Sequence, residues 1–514
     1  MPDSKDPSRP SRKKKVASGG VVCCMQGICL LLLTGCMVGP DHHRPSPTLP
    51  AAWENRLEAA PAADPVSTVT SEPLELVEWW KSFDDPVLAS LVERAIELNL
   101  DIKQAQARIR QARASRGVAT GGMWPQIDTS ASYRNSRSGG SSSSSASSFG
   151  SSGSSNGTSL SGGGSGGSDS RDLFQMGLDA SWELDLFGGL RRNVEASEAD
   201  VQAAVEDRRD VLVSLAGEVG TNYTNLRGFQ QQIEIARRNL EAQKHTGEIT
   251  RKRHDAGFVG GLDVANARAQ VASTQSQIPV LESSAKAAIY SLGVLLGQQP
   301  TALERELALD RPIPTTPPEV PVGLPSDLIR RRPDIRRSEA QLHGATARIG
   351  VATADLFPKF SLTGSFGLQG NEVSALGGLS NRFWSLGPTV SWPILDGGRI
   401  RWNIEVQNAL QEQALLTYEQ TILTALRDVE TALVAYAKEQ EHRRYLTEEV
   451  VENRKAVDLS MQLYVAGRTD FLNVLTAQRS LYASEDALVQ STRDVTNNLI
   501  ALYKALGGGW ENEP

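Results

Sequence analysis

Few residues of this 514-residue chain are suited to catalysis, and their placement argues against it. All four cysteines (Cys23, Cys24, Cys29 and Cys36) fall within the first 36 residues. The body therefore has no thiol nucleophile, thiolate metal site or disulfide frame. His42, His43, His245, His254, His343 and His442 show no zinc spacing. The pair His42-His43 reads as part of a solvated tether rather than a metal site. Carboxylates are spread along helix faces as solvated charge. No Gly-rich phosphate loop follows a strand, and there is no Ser elbow. The chain is expected not to be an enzyme. With 53 bases against 60 acids its net charge is −7, a poor match to nucleic acid.

The one cysteine with a clear chemical context is Cys36. Residues 1–15 are basic, Val21 to Leu33 are mostly apolar, and Leu33-Thr34-Gly35-Cys36 follows at once. This order describes a secretory signal with small residues before the cut. A Cys at the first mature position resembles the bacterial lipobox, which implies a thioether-linked diacylglycerol on Cys36 and an acylated amine. An ordinary signal in which a Cys happens to stand there is the alternative. Each buried CH₂ contributes roughly 0.8 kcal/mol, so three acyl chains anchor firmly. That covalent lipid is the only non-protein group expected. Met37, rather than Asp, follows the Cys, which by analogy favours the outer membrane. No apolar run reaches the ~18 residues of a spanning helix, which argues against a helical membrane transporter.

The elements that follow are duplicated. Trp182, Gly188, Arg191 and Asn193 recur as Trp392, Gly398, Arg401 and Asn403, and Ala256-Gly257 as Ala466-Gly467, at one fixed offset. Upstream, Asp101-Ile102 and Trp124-Pro125 match Asp334-Ile335 and Phe357-Pro358 at a larger one. The surplus of the first copy falls at residues 138–168, where 26 of 31 residues are Ser or Gly. Such a tract cannot offset its ordering entropy and reads as a loop.

Each copy reads helix, strand, loop, strand, long helix, tight turn, long helix. Phe174, Met176, Leu178, Ala180, Trp182 and Leu184 alternate with polar or small residues, a period of two with one apolar face. In the second copy Trp384, Leu386, Val390, Trp392 and Ile394 share a face, although Pro388 counts against a regular ladder. The first strands are Ile127 to Tyr133 and Phe360 to Leu368. Lengths near ten residues suit tilted membrane-spanning strands. Leu212, Leu215, Val219, Leu226, Phe229, Ile233, Ala236 and Leu240 form a heptad seam, repeated by Ile422, Val429, Leu433 and Tyr436. As one helix, residues 190–256 would extend about 100 Å at 1.5 Å per residue. A turn at Gly257 to Gly261 reverses it, and a second helix runs on from Asp263.

Four strands cannot close a membrane barrel, and open edges are excluded from lipid because every unpaired amide costs several kcal/mol. Other copies must complete the sheet. Arithmetic alone allows a dimer of eight strands or a trimer of twelve.

Several segments together resemble the TolC-type outer-membrane efflux proteins, in the lipoprotein (NodT-like) branch serving resistance-nodulation-division (RND) pumps. They are Cys36-Met37-Val38-Gly39-Pro40-Asp41 with Pro45, Trp79-Trp80-Lys81-Ser82-Phe83-Asp84-Asp85-Pro86, Asp263 to Gln270, and Tyr464 to Gln478. The resemblance spans residues 36–506 and implies an α+β fold of two tandem repeats, each a β-hairpin plus long coiled-coil helices. It implies a homotrimer forming a twelve-stranded β-barrel and an α-helical periplasmic tunnel in the outer membrane. A periplasmic adaptor protein and an inner-membrane RND transporter are the implied partners, with outer-membrane lipid around the barrel. The function implied is an exit channel for drugs or other small molecules. The outer-membrane component of a type I protein-secretion system is the runner-up, and a non-channel structural coiled-coil lipoprotein the alternative of another class.

The expected organisation is a signal at 1–35, a lipid-anchored tether at 36–78, a first repeat at 79–300, a linker at 301–324, a second repeat at 325–506 and a tail at 507–514. By the same resemblance, the hairpin turns Ala256 to Leu262 and Ala466 to Leu472 are periplasmic tips that meet the adaptor and close the tunnel. Gly257, Asp263, Gly467, Arg468, Asp470 and Asn473 are the gate candidates, with Arg468 able to pair the acids. Asp263 could also simply cap a helix after Gly-Gly. Trp124, Trp182, Phe357, Trp384 and Trp392 are expected at the membrane interface.

Overall fold

The computed structural model describes residues 37–47, 49–53, 68–70, 77–137, 170–317 and 319–510. The expected signal, Cys36 and the whole Ser/Gly tract at 138–168 lie outside the described residues.

In chain order the strands are β1 (Thr68–Thr70), β2 (Gln126–Arg137), β3 (Ser170–Leu184), β4 (Glu319–Pro321), β5 (Lys359–Gly370) and β6 (Arg382–Ser391). The principal helices are α1 (Pro86–Leu98), α2 (Leu100–Gly121), α3 (Gly189–Asp255), α4 (Gly261–Leu295), α5 (Pro325–Arg331), α6 (Pro333–Ala354), α7 (Arg399–Val465) and α8 (Phe471–Ala505). Pro279 lies inside α4 without ending it.

The chain divides into two compact units. The first comprises residues up to Asp41, Gly117–Glu195 and Ala347–Gln407. It holds one antiparallel sheet in the order β2-β3-β5-β6. The register sets Tyr133 opposite Phe174, Leu178 opposite Phe366, and Phe366 opposite Trp384. Residues directly opposite share a face, so most of the apolar positions of the four strands fall on one side, with Leu173 and Phe383 on the other. Among the described residues nothing covers the apolar side: Ile127, Leu178, Phe366 and Leu386 are exposed. The other side carries Asp128, Asp179, Ser361, Ser365 and Ser385. The strands run 10 to 15 residues, longer than the alternation alone suggested. Pro388 is tolerated because β6 is an edge strand. Trp392 and Ile394 lie past the end of β6, a correction to their reading as strand residues; the ladder stops at Ser391.

The second unit comprises His42–Arg116, Ala196–Thr346 and Asn408–Pro514. Its core is the heptad seam expected: Leu212, Leu215, Val219, Leu226, Ile233, Ile422, Val429, Leu433 and Tyr436 are buried. The segment from Trp79 enters as a 3₁₀ turn, with Trp79, Trp80 and Phe83 buried and Trp79 stacked on Tyr503 at 5.4 Å. Asp85 then caps α1, accepting from the amides of Val87 at 2.8 Å and Leu88 at 3.1 Å, with Pro86 at the first helical position. Tyr223 donates to the same carboxylate at 2.7 Å, and burial pushes its phenol up to about 12.

Two segments read as tether and linker are corrected by the structure. Trp53 is buried and its indole donates to the Gly323 carbonyl at 3.1 Å. Thr68–Thr70 pairs in parallel with Glu319–Pro321, and Leu303, Leu307, Val320 and Val322 are core residues. His42 stacks on His343 at 4.6 Å rather than standing in solvent. These short segments have no period of their own; packing against remote residues holds them. In the tail, Trp510 donates to the Arg331 carbonyl at 3.1 Å and lies under the guanidinium of Arg209.

Candidate functional site

The hairpin tips belong to the second unit and are built twice on one backbone plan. At the end of α3, the Gly257 amide reaches the His254 carbonyl at 2.8 Å and the Phe258 amide the Arg253 carbonyl at 2.8 Å. At the end of α7, Gly467 reaches Tyr464 at 3.0 Å and Arg468 reaches Leu463 at 2.8 Å. This is a Schellman ending, which needs a left-handed residue; Gly257 has φ 80° and Gly467 φ 72°. The return helices start alike, Asp263 N–H to Gly260 and Asn473 N–H to Asp470, both at 3.2 Å.

Gly260, not Asp263, is the N-cap of α4, so the capping role expected for Asp263 is corrected. Asp263 stands at the third helical position, where its charge faces the positive end of the helix dipole. Asn473 occupies the matching position in α8 and donates to Thr469 Oγ1 at 2.7 Å. Asp470 is the N-cap of α8, but its side chain makes no capping bond. Arg468 and Asp470 are exposed and, among the described residues, form no ion pair with each other or with Asp263 within the chain. The turn leaves both side chains exposed.

The residue that joins the two tips is one the sequence reading missed. Arg253, in the last turn of α3, donates to the Tyr464 carbonyl and sets its guanidinium 4.6 Å from the centre of the Tyr464 ring. Tyr464 is buried against Phe471, Val474, Leu475 and Ala267 and also donates to Thr250 at 3.3 Å. A charged donor on a carbonyl contributes roughly 1.5–3 kcal/mol and a cation–π contact about 0.5–1 kcal/mol more. The available signal was the run Arg251-Lys252-Arg253-His254 at a helix C-terminus, but nothing local marks which base turns inward.

In the first unit the aromatics collect at the ends of the sheet. Trp182 donates to the Met123 carbonyl and Trp392 to the Leu356 carbonyl, both at 3.0 Å, equivalent bonds in the two repeats. Trp124 is exposed beside them, and Phe357 stacks on Phe187 at 4.6 Å. Toward the opposite end lie Trp384, in register with Phe366, and the Tyr133–Phe174 pair, at 4.7 Å. An exposed apolar band with aromatics at both margins is the pattern of a lipid-facing strand surface. Among the described residues no single helix is long and apolar enough to cross a membrane.

The model for outer membrane efflux proteins matches residues 91–298 and 324–508. The chain is 34% identical over 465 residues to the pyoverdine export outer membrane protein OpmQ of Pseudomonas aeruginosa, covering 90% of this chain and 94% of that protein. It is 32% identical over 486 residues to the solvent efflux pump outer membrane protein SrpC of Pseudomonas putida, covering 94% and 97%. Among solved structures it is similar to the outer-membrane channel OprN, with a TM-score of 0.80 and 36% identity, covering 92% of this chain and 100% of that one. With its paired hairpins, its uncovered apolar sheet and these likenesses, the chain belongs to the outer membrane efflux protein family, as a channel-forming efflux component of the outer membrane and not an enzyme.

Proposed function

We propose that three copies of this chain form the exit duct of a tripartite efflux pump, receiving small molecules through a periplasmic adaptor from an inner-membrane RND transporter. The observation that carries the reading is the four-stranded sheet, apolar on one face and unpaired at both edges, β2 and β6. Lipid forbids such edges, and three copies joined β6 to β2 make twelve strands around a bore lined by the polar face. The apolar band with aromatics at both margins sets the sheet in the bilayer. We read Cys36 as the lipidated first residue of the mature chain.

The tips serve as the gate in this reading. Gly257 and Gly467 shape the turns, while Asp263, Arg468, Asp470 and Asn473 line the constriction or meet neighbouring copies. Six tips gathered at a narrow mouth place these charges within reach of one another. Purified protein in mild detergent is expected to run as a trimer and to conduct ions in planar bilayers. A stable monomer without conductance would overturn the duct. Loss of the gene should raise susceptibility to exported compounds, and complementation should restore resistance. The N-terminal peptide should carry the mass of a lipid adduct, lost in Cys36→Ala. Deleting residues 138–168 should leave the trimer intact.

A further inference from the structure

Arg192, in the first turn of α3, is 2% exposed, and the interactions of its guanidinium lead to the start of the described chain. Nε donates to the Val38 carbonyl at 3.2 Å and Nη2 to the Gly39 carbonyl at 3.4 Å and to Asp41 Oδ1 at 2.6 Å, while Nη1 holds Glu195 at 2.8 Å. The Val38 amide returns a bond to the Phe187 carbonyl at 3.1 Å. Three glycines from three separate segments leave out a Cβ at this place. A Cβ on Gly350 would lie 2.8 Å from Arg192 Cγ, and one on Gly188 2.9 Å from Met37 Cα. One on Gly39, where φ is 92°, would overlap the Gly350 backbone. A buried guanidinium is tolerable only with its partners in place. Withdrawing residues 38–41 would strip it of one carboxylate and two carbonyls.

The second repeat serves as an internal control. Gly398 repeats the turn of Gly188 with φ 85°, and the amide of Trp402 bonds the Gly398 carbonyl at 3.0 Å as Arg192 does Gly188 at 2.8 Å. Trp402 stands in place of Arg192, and its side chain is 72% exposed. Gly117, the counterpart of Gly350, faces open space. The fold therefore builds this turn without a buried arginine or a socket. What only the first repeat has is an incoming N-terminal segment.

We propose that Phe187–Glu195 and Gly350 form a socket for Met37–Asp41, and that Arg192 is the positioning residue that fixes the chain's lipidated end to the sheet. The socket holds Met37 against Gly188, in the β3–α3 turn. That is the end of the sheet where Trp124, Trp182 and Trp392 gather, so anchor and aromatic margin enter the bilayer at one level. The inference rests on the lipoprotein reading of Cys36 only for what is attached; capture of residues 37–41 is independent of it.

The test uses full-length protein from outer membranes, with amide hydrogen exchange followed in intact trimers and the N-terminal peptide weighed. In the wild type, the Val38 amide, bonded to the Phe187 carbonyl, should be protected. Arg192→Gln and Gly350→Ala should each raise its exchange at least tenfold while the β2–β3 and β5–β6 ladders keep theirs. Asp41→Asn, a change at an exposed carboxylate that spares the sheet, should raise it several-fold. A nitroxide on Pro40→Cys should turn from an immobile to a mobile line shape in the Arg192→Gln background. An unprotected Val38 amide in the wild type, or protection unchanged by all three substitutions, would overturn the socket. A peptide of unmodified mass with a protected Val38 amide would refute the lipid reading and leave the socket standing.

Discussion

The two hairpin tips share a backbone and differ in chemistry. Both close with the same pair of amide bonds over a left-handed glycine and restart with the same 3.2 Å bond. The first presents Phe258, 75% exposed, and Leu262 behind a basic last turn, with Asp263 in the first turn of its return helix. The second presents Arg468, Thr469 and Asp470, with Asn473 where the first has an acid. Duplication preserved what the turn geometry demands and left the solvent-facing positions free to diverge. Arg253 adds to the asymmetry: it crosses from the first hairpin to the second, and the matching position of the second repeat is Leu463.

The largest effect expected is from Arg253→Ala. It removes the bond to the Tyr464 carbonyl and the contact with its ring, roughly 2–4 kcal/mol of tip cohesion. Closed-state conductance in planar bilayers should rise about tenfold or more, and cells should become sensitive to large antibiotics. Unchanged conductance would mean that the two hairpins are held together elsewhere. Next comes an exchange of surfaces. Phe258→Arg with Arg468→Phe should keep the trimer but cut efflux several-fold, measured as drug susceptibility, if the two tips meet different partners. Full activity would make the tips interchangeable. Arg468→Ala or Asp470→Ala should change closed-state conductance by about two-fold, because among the described residues neither side chain forms an ion pair and both are exposed where copies would meet. Identical conductance in both variants would remove them from the gate. The smallest effect is expected from Asn473→Asp, which makes the two return helices alike. An acid there gains about 0.3–1 kcal/mol from the helix dipole. Thermal melting should rise by a degree or two while cation selectivity increases; a fall in both would mean that the Thr469 bond matters more than the charge.

Periodic elements were legible in advance. Alternation at Phe174–Leu184 located β3, and the seam from Leu212 to Leu240 predicted which residues α3 buries. Ala-Gly pairs marked the turns because only glycine enters the left-handed region cheaply. What escaped has no period. The segments at 37–53 and 301–324 read as connections, yet Trp53, Leu307 and Val320 are buried. Their partners lie far away in sequence, as Gly323 does from Trp53. The capping alternative for Asp263 fails because Gly-Gly hides where a helix begins; either glycine can stand outside it. Arg253 and Arg192 were passed over for a related reason. A lone base in a charged stretch looks solvated unless its remote carbonyl partner is known.

The parallel pairing of Thr68–Thr70 with Glu319–Pro321 bears on how the molecule can be shortened. A preparation trimmed to begin at Trp79 would look tidy on paper, since it starts where the first helices start. It would also unzip a two-strand clasp, bare Val320 and empty the berth that Gly323 offers to an indole. Shortening the N-terminus without unravelling the rest means cutting ahead of Met37, so that every residue with a seat keeps it.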